Sequence, residues 1–252
     1  MSNSNKKTRM RLWAVAIWLI VWQAAAQLVG KEILLVSPVR TATRLWELAG
    51  EPDFWNSVAY TLIRIAEGFA LGMAAGILLA IPAGRWNAVR ELLAPLMLTV
   101  KTIPVASFIV VVLIWFSSKQ LSVTIGFLMV LPIIYTNTLE GIQARDPLLA
   151  EAAKVHRVGA FRKGLWIDLP QVLPFFRSGC KVALGLCWKA GVAAEVIGQP
   201  KGSIGAALQQ AKVYFETRDV FAWTLAVILL SLLFEKLVLA FLSFIEKQLE
   251  HL

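Results

Sequence analysis

Apolar residues form long runs along the chain, separated by short polar connections. A helix needs about 20 apolar residues to cross a bilayer, and six runs come close to that length or exceed it. The pattern predicts an all-α, polytopic membrane protein in which residues 1–252 form a single transmembrane domain. The predicted spans are Leu12–Val29, Leu62–Ala83, Leu92–Phe116, Leu121–Leu139, Val172–Ile197 and Val220–Phe244.

The first apolar run has two interpretations. It follows a basic N-terminus and ends near three consecutive alanines, residues 24–26, which together resemble a signal peptide with its cleavage site. The run also extends to Val29 and contains Trp13, Trp18 and Trp22, and tryptophan is typical of an interfacial anchor. The tryptophans favour a retained helix, and the intact mass of the mature protein distinguishes the two.

Composition supports a membrane protein. Hydrophobic residues make up 58% of the chain and charged residues 16%, against about 45–50% and about 25% in soluble domains. The net charge is +9, but the basic residues cluster between apolar runs. That placement favours membrane topology and anionic lipid over nucleic acid. The excess of Lys and Arg on the side of the N-terminus predicts that both termini are cytoplasmic.

The sequence lacks the motifs of an enzyme. The Gly-rich segment 198–203 does not have the G-x-x-x-x-G-K-[ST] spacing of a phosphate-binding loop. Catalytic carboxylate pairs and zinc-type ligand spacings are also missing from the sequence. We therefore expect no cofactor, no metal and no ATP binding by this chain.

Some charged residues fall within the predicted spans, where they usually face a bundle interior or an aqueous cavity. Lys101 precedes the helix breaker Pro104, and broken helices at membrane depth tend to line cavities. Lys189 and Glu195 lie deep in the fifth span or near its outer end. These four residues are predicted to line a translocation pathway, so loss of charge at Lys101 or Glu195 should lower uptake without lowering abundance. Helix packing and snorkelling to the interface are the alternatives.

The longest polar stretch of the second half, residues 140–171, contains a predicted short helix. Asp146 and Pro147 suit an N-cap and a first helical position, and residues 148–156 are mostly strong helix formers. Gly159 is the expected stop. Ala152 and Ala153 give this helix a smooth face for close approach by another protein. A short interfacial helix without a partner is the alternative from these residues alone.

This stretch resembles the EAA signature of permeases in binding-protein-dependent ABC importers. Glu151-Ala152-Ala153 is followed at the family's spacing by Ile167, Leu169 and Pro170. Arg157 stands where the signature has glycine, and Gly159 follows two residues later. The segments around Pro104, Pro132 and Glu195 also resemble the family, most closely its nitrate, sulfonate and taurine branch.

The resemblance implies a type I ABC importer permease that moves a small solute across the bacterial cytoplasmic membrane. It implies a second permease chain, most simply as a homodimer, two cytoplasmic ATPase subunits and an extracytoplasmic solute-binding protein. The helix that contains Glu151 would then be the coupling helix, which transmits the movement of the ATPase to the translocation pathway. A secondary transporter or channel without ATPases is the alternative from the residues alone. The sequence does not name the solute.

Overall fold

The computed structural model describes residues 12–250, so the basic residues of the N-terminus lie outside the described part. No strand occurs between residues 12 and 250, and the all-α prediction is confirmed. Residues Gly164–Asp168 form a π-helical turn. The helices are α1 Leu12–Val29, α2 Pro38–Ala49, α3 Pro52–Arg85, α4 Asn87–Thr102, α5 Val105–Trp115, α6 Ser118–Gln143, α7 Pro147–Val155, α8 Ala160–Lys163, α9 Leu169–Gly198, α10 Ile204–Val213 and α11 Thr217–Glu250.

The number of six spans is not confirmed. Within the described residues, α3, α6 and the Thr217–Phe244 part of α11 are long and apolar enough to cross a membrane, and α4 with α5 would add a fourth. The apolar helix α1 is shorter. The 30-residue helix α9 is long enough, but it contains Arg177, Lys181, Lys189 and Glu195, and charged side chains oppose burial in lipid.

The predicted third span is not one helix. It consists of α4 and α5, which meet at an angle of 105°. Pro104 lacks a backbone N–H and disfavours helical geometry in the residue before it, and Ile103 accordingly has ψ of 130°. Pro95 lies inside α4 without ending it. The sequence indicated an interruption of the predicted span Leu92–Phe116 by its prolines, and the break lies at Pro104 rather than at Pro95.

The core forms where α6 packs between α3 and α9. Gly68, Gly72 and Gly76 follow one another at intervals of four residues on α3, a spacing that allows helices to approach closely in membranes. A Cβ atom on Gly72 would lie 2.7 Å from the Cβ of Val130 on α6. The absence of a side chain at this position is therefore needed for the observed distance between the two helices.

The helical bundle has two ends with different contents. We call one the α10 end, which contains α2, α10, the start of α3 and the end of α9. At this end Arg44 donates two hydrogen bonds to the Asp219 carboxylate, 2.6 Å from Nε and 2.9 Å from Nη2. The hydrogen bond to Asp219 raises the pKa of Arg44, so this link between α2 and α11 stays charged.

The other end, which we call the α7 end, contains α7, α8, the start of α9 and the ends of α3 and α6. Here a Cβ atom on Gly84 of α3 would lie 2.5 Å from Cγ2 of Ile142 on α6. The close packing of α3 on α6 therefore continues to the last turn of both helices. The chain then leaves the bundle as the loop that carries α7.

Candidate functional site

The start of α7 is capped as the sequence predicted. Oδ1 of Asp146 accepts a hydrogen bond from the N–H of Leu148 at 2.8 Å, and Pro147 occupies the first turn, where its missing N–H has no helical partner to lose. The N–H of Asp146 donates to Oε1 of Gln171 on α9 at 2.7 Å. The first turn of α7 is thus fixed both within the loop and to α9.

The end of α7 differs from the prediction. Arg157 has a φ of 52°, a left-handed conformation that usually favours glycine. The N–H of Val158 donates to the Ala153 carbonyl at 2.9 Å and that of Arg157 to the Lys154 carbonyl at 3.0 Å, which is the Schellman motif. Gly159 has a φ of −59° and precedes α8. The expectation that Gly159 stops the helix is therefore wrong, since Arg157 makes the turn.

One face of α7 is apolar and open. Leu148, Ala152 and Val155 are spaced by four and three residues and share a face, with Glu151 beside them. Leu148 is 70% exposed and Val155 79% exposed. Ala153 is 3% exposed and lies within the chain's own interior, so of the two alanines Ala152 is the one open to a partner. We call Leu148, Glu151, Ala152 and Val155 the α7 stripe.

The second half of the signature lies where the loop rejoins the bundle. Ile167 belongs to the π-helical turn, and Leu169 and Pro170 begin α9. The Ile167 carbonyl accepts a hydrogen bond from Nε2 of Gln171 at 2.7 Å, the same side chain that binds the start of α7. One glutamine therefore joins Asp146, which caps the helix of the signature's first half, to Ile167 of its second half.

Sequence reasoning missed Asp168, which lies between Ile167 and Leu169. Its carboxylate is 3.0 Å from Nη1 of Arg145 at the end of α6 and 3.0 Å from Nζ of Lys163 on α8. The sequence contained a signal for this contact. Arg145 directly precedes Asp146-Pro147, and the oppositely charged Asp168 directly precedes Leu169-Pro170. The Leu148 and Val155 positions were missed too, although their spacing of seven residues was visible.

Three of the predicted pathway residues are exposed. Lys101 and Pro104 lie at the bend between α4 and α5, and Lys189 lies on α9. The Nζ of Lys101 donates to Oγ1 of Thr136 on α6 at 2.8 Å. These side chains are available to a solute or to another chain.

The fourth predicted pathway residue, Glu195, is fully buried. Its carboxylate accepts hydrogen bonds from Oγ1 of Thr61 at 2.8 Å, from Oγ of Ser122 at 3.2 Å and from the N–H of Gly205 at 3.2 Å. These donors belong to α3, α6 and α10. Because a solute cannot reach the enclosed carboxylate in this conformation, we treat Glu195 as a packing residue and retain Lys101, Pro104 and Lys189 as pathway candidates.

Comparison with known proteins identifies the family. Residues 72–251 match the family described as "Binding-protein-dependent transport system inner membrane component". The Escherichia coli (strain K12) permease SsuC, named for aliphatic sulfonates transport, is 30% identical over 244 residues, covering 92% of this chain and 89% of the relative. The taurine transport system permease protein TauC of the same organism is 26% identical over 240 residues, covering 92% and 86%.

A third relative is the formylaminopyrimidine transport permease protein ThiX of Halalkalibacterium halodurans. It is 28% identical over 208 residues, covering 81% of each chain. Permeases of this family work with ATPase and solute-binding protein partners. The family match covers well over half of the sequence and decides against a channel or secondary transporter. The chain belongs to the binding-protein-dependent transport family, as a multi-pass permease subunit of an ABC importer in the bacterial cytoplasmic membrane.

Proposed function

We propose that this permease imports a small solute with an anionic group. The relatives named for sulfonates and taurine support this class, since both names describe solutes with a sulfonate group. Exposed lysines on helices of the bundle, Lys101, Lys181 and Lys189, add positive charge where a solute would pass. A ligand screen on the partner binding protein tests this: we expect selection of an anion, and selection of a neutral pyrimidine would contradict it.

The pathway passes the bend that carries Lys101 and Pro104 and the exposed side of α9 that carries Lys189. Lys181 and Lys189 are eight residues apart, so they share one face of α9. Replacement of a pathway lysine should lower uptake while membrane abundance stays the same. Lys189→Gln tests this, with the exposed Lys119→Gln at the start of α6 as control. Equal loss of abundance and uptake in Lys189→Gln would contradict the pathway role.

A second copy of this chain completes the pathway. One permease chain leaves the bend at Pro104 and the lysine face of α9 open, and a charged face at membrane depth needs a protein or aqueous neighbour. The purified complex should therefore contain two identical permease chains. Co-expression of two differently tagged copies tests this: we expect one tag to capture the other, and capture of a different permease chain instead would indicate a heterodimer.

The helix α7 docks on the cytoplasmic ATPase, which alone hydrolyses ATP. The observation that supports this best is the α7 stripe, because an exposed apolar face on a capped helix outside the bundle is typical of a protein interface. Leu148 and Val155 would fill a groove of the partner, and Ala152 between them would allow close approach. Glu151 would accept charge-assisted hydrogen bonds from the ATPase. The α7 end would then face the cytoplasm, with both termini on that side.

Co-purification of the ATPase with tagged permease tests the docking proposal. Leu148→Ser removes an apolar side chain from the α7 stripe, and Leu34→Ser is its control because Leu34 is similarly exposed, 66% against 70%, at the α10 end. We expect Leu148→Ser to lower the amount of bound ATPase and Leu34→Ser to leave it unchanged. Equal ATPase binding by both variants and the parent would contradict docking through α7.

A further inference from the structure

We propose that Asp168 is a positioning residue that clamps the base of the α7 loop, so that displacement of α7 is transmitted to α6 and α9 together. This inference rests on the proposed docking of α7 on the ATPase. It goes beyond that docking because it concerns how the movement leaves α7, and Asp168 itself is not part of the α7 stripe.

The clamp is built from two ion pairs on one carboxylate. Oδ2 of Asp168 is 3.0 Å from Nη1 of Arg145, where α6 ends, and Nζ of Lys163 is 3.0 Å from each carboxylate oxygen. The three side chains are between 21% and 34% exposed. Arg145 is also held on its own helix, because its Nε donates to the Ile142 carbonyl at 2.7 Å.

A second connection lies beside the first. Oε1 of Gln171 accepts from the N–H of Asp146 at 2.7 Å, and its Nε2 donates to the Ile167 carbonyl at 2.7 Å. Residues 145 and 146, before α7, are thus tied to residues 168 and 171, after α8. The two ends of the loop are therefore joined at its base, so a displacement of α7 acts on both α6 and α9.

The local geometry on the α9 side suits a point where force is transmitted. Residues 164–168 form a π-helical turn, and such turns are rare and frequently occur at functional sites. Behind it lies a cleft of about 450 Å³ between α3, α6 and the start of α9, lined by Ile81, Thr138, Asp168 and Leu169 among others. This cleft leaves room for the π-helical turn to shift relative to α3, while the clamp keeps the turn attached to α6.

The charge of Asp168 is the part that a substitution can remove without changing shape. In the reconstituted importer, Asp168→Asn should retain membrane abundance and ATPase co-purification, because the α7 stripe is intact. Solute-stimulated ATP hydrolysis per complex should fall by about fivefold or more, the lower range of ordinary coupling between sites. Asp168→Glu keeps the charge and should retain most of the stimulation. Glu91→Gln, which removes an exposed carboxylate on α4 at the same end, is the control and should behave as the parent.

The outcomes separate the clamp from the docking proposal. Unchanged stimulation in Asp168→Asn would overturn the clamp and leave docking through α7 intact. Loss of ATPase co-purification in Asp168→Asn would also overturn it, because the residue would then serve docking itself. If Asp168→Asn lowers abundance, the same measurements on Arg145→Gln with Lys163→Gln decide. Reduced stimulation in the assembled complex supports the clamp, and a parallel loss of abundance would show that the pairs serve folding alone.

Discussion

The two ends of the bundle differ in which side chains find partners within the chain. At the α10 end a fully buried carboxylate, Glu195, has three donors from other helices of the same chain, and Arg44 binds Asp219 in a bidentate geometry. At the α7 end Leu148 and Val155 project from a short helix and remain open. The α10 end thus pairs its buried polar groups within the chain, although apolar residues such as Leu34 are exposed there too. What distinguishes the α7 end is a capped helix with an open apolar stripe, which we propose the ATPase covers.

The largest effect is expected from removal of the buried carboxylate at the α10 end. Glu195→Leu leaves the donors from Thr61, Ser122 and Gly205 without their acceptor, and each buried unpaired group costs about 1–3 kcal/mol. We expect the membrane abundance and the thermal stability of Glu195→Leu to fall steeply. Both should fall less in Glu195→Gln, which keeps one acceptor oxygen. The exposed Glu216→Leu at the same end is the control.

This experiment also sharpens the comparison of the two ends. If Glu195→Leu accumulates normally but fails to transport, the carboxylate belongs to the pathway, and its three donors at the α10 end serve transport rather than stability. Uptake should therefore be normalised to the amount of folded permease in the membrane.

A smaller effect is expected at the contact between α3 and α6, which connects the two ends. Gly72→Ala places a Cβ atom 2.7 Å from the Cβ of Val130, and overpacking of this kind typically costs about 1–3 kcal/mol. Gly185→Ala on α9 is the matched control, because no atom lies within 4 Å of its new Cβ. Thermal unfolding of the detergent-purified protein should separate the two variants, and equal melting temperatures would contradict the close packing of α3 on α6.

The smallest effect is expected at the turn after α7. Arg157 adopts a left-handed conformation that costs an L-residue about 1–2 kcal/mol, so Arg157→Gly should stabilise the end of α7 by about 1 kcal/mol. Slower hydrogen exchange of the amides at residues 156–158 in Arg157→Gly than in the parent would show this stabilisation. Gly159→Ala serves as comparison, since Gly159 has ordinary φ and free space around it. If Gly159→Ala disturbs exchange more than Arg157→Gly does, the turn has been assigned to the wrong residue.

The sequence predicted the helices well because apolar periodicity and capping are local properties. Asp146 and Pro147 start α7 as expected, and every predicted span except the third falls within one helix. Pro104 indicated a break in the helix but not its angle of 105°, because the angle depends on how α4 and α5 pack on α6. Arg157 took the glycine conformation since the hydrogen bonds of the turn, rather than its side chain, fix the backbone.

The site was predictable where the signature is contiguous and not where it depends on tertiary contact. The position of α7 followed from the contiguous residues Asp146-Pro147 and Glu151-Ala152-Ala153. The inward orientation of Ala153, the enclosure of Glu195 and the two partners of Asp168 follow from packing between helices that are far apart in sequence. Its charge at membrane depth correctly marked Glu195 as unusual. The sequence did not show whether the carboxylate contacts a solute or other residues of the chain.

The central claim is that α7 contacts the ATPase, and site-specific photo-crosslinking tests it most directly. A photoreactive side chain at Val155, which is 79% exposed on the α7 stripe, is placed in the assembled importer, with the same group at Leu34 at the α10 end as control. We expect an adduct between permease and ATPase from position 155 and none from position 34. No adduct from position 155, or ATPase adducts of equal yield from both positions, would contradict it.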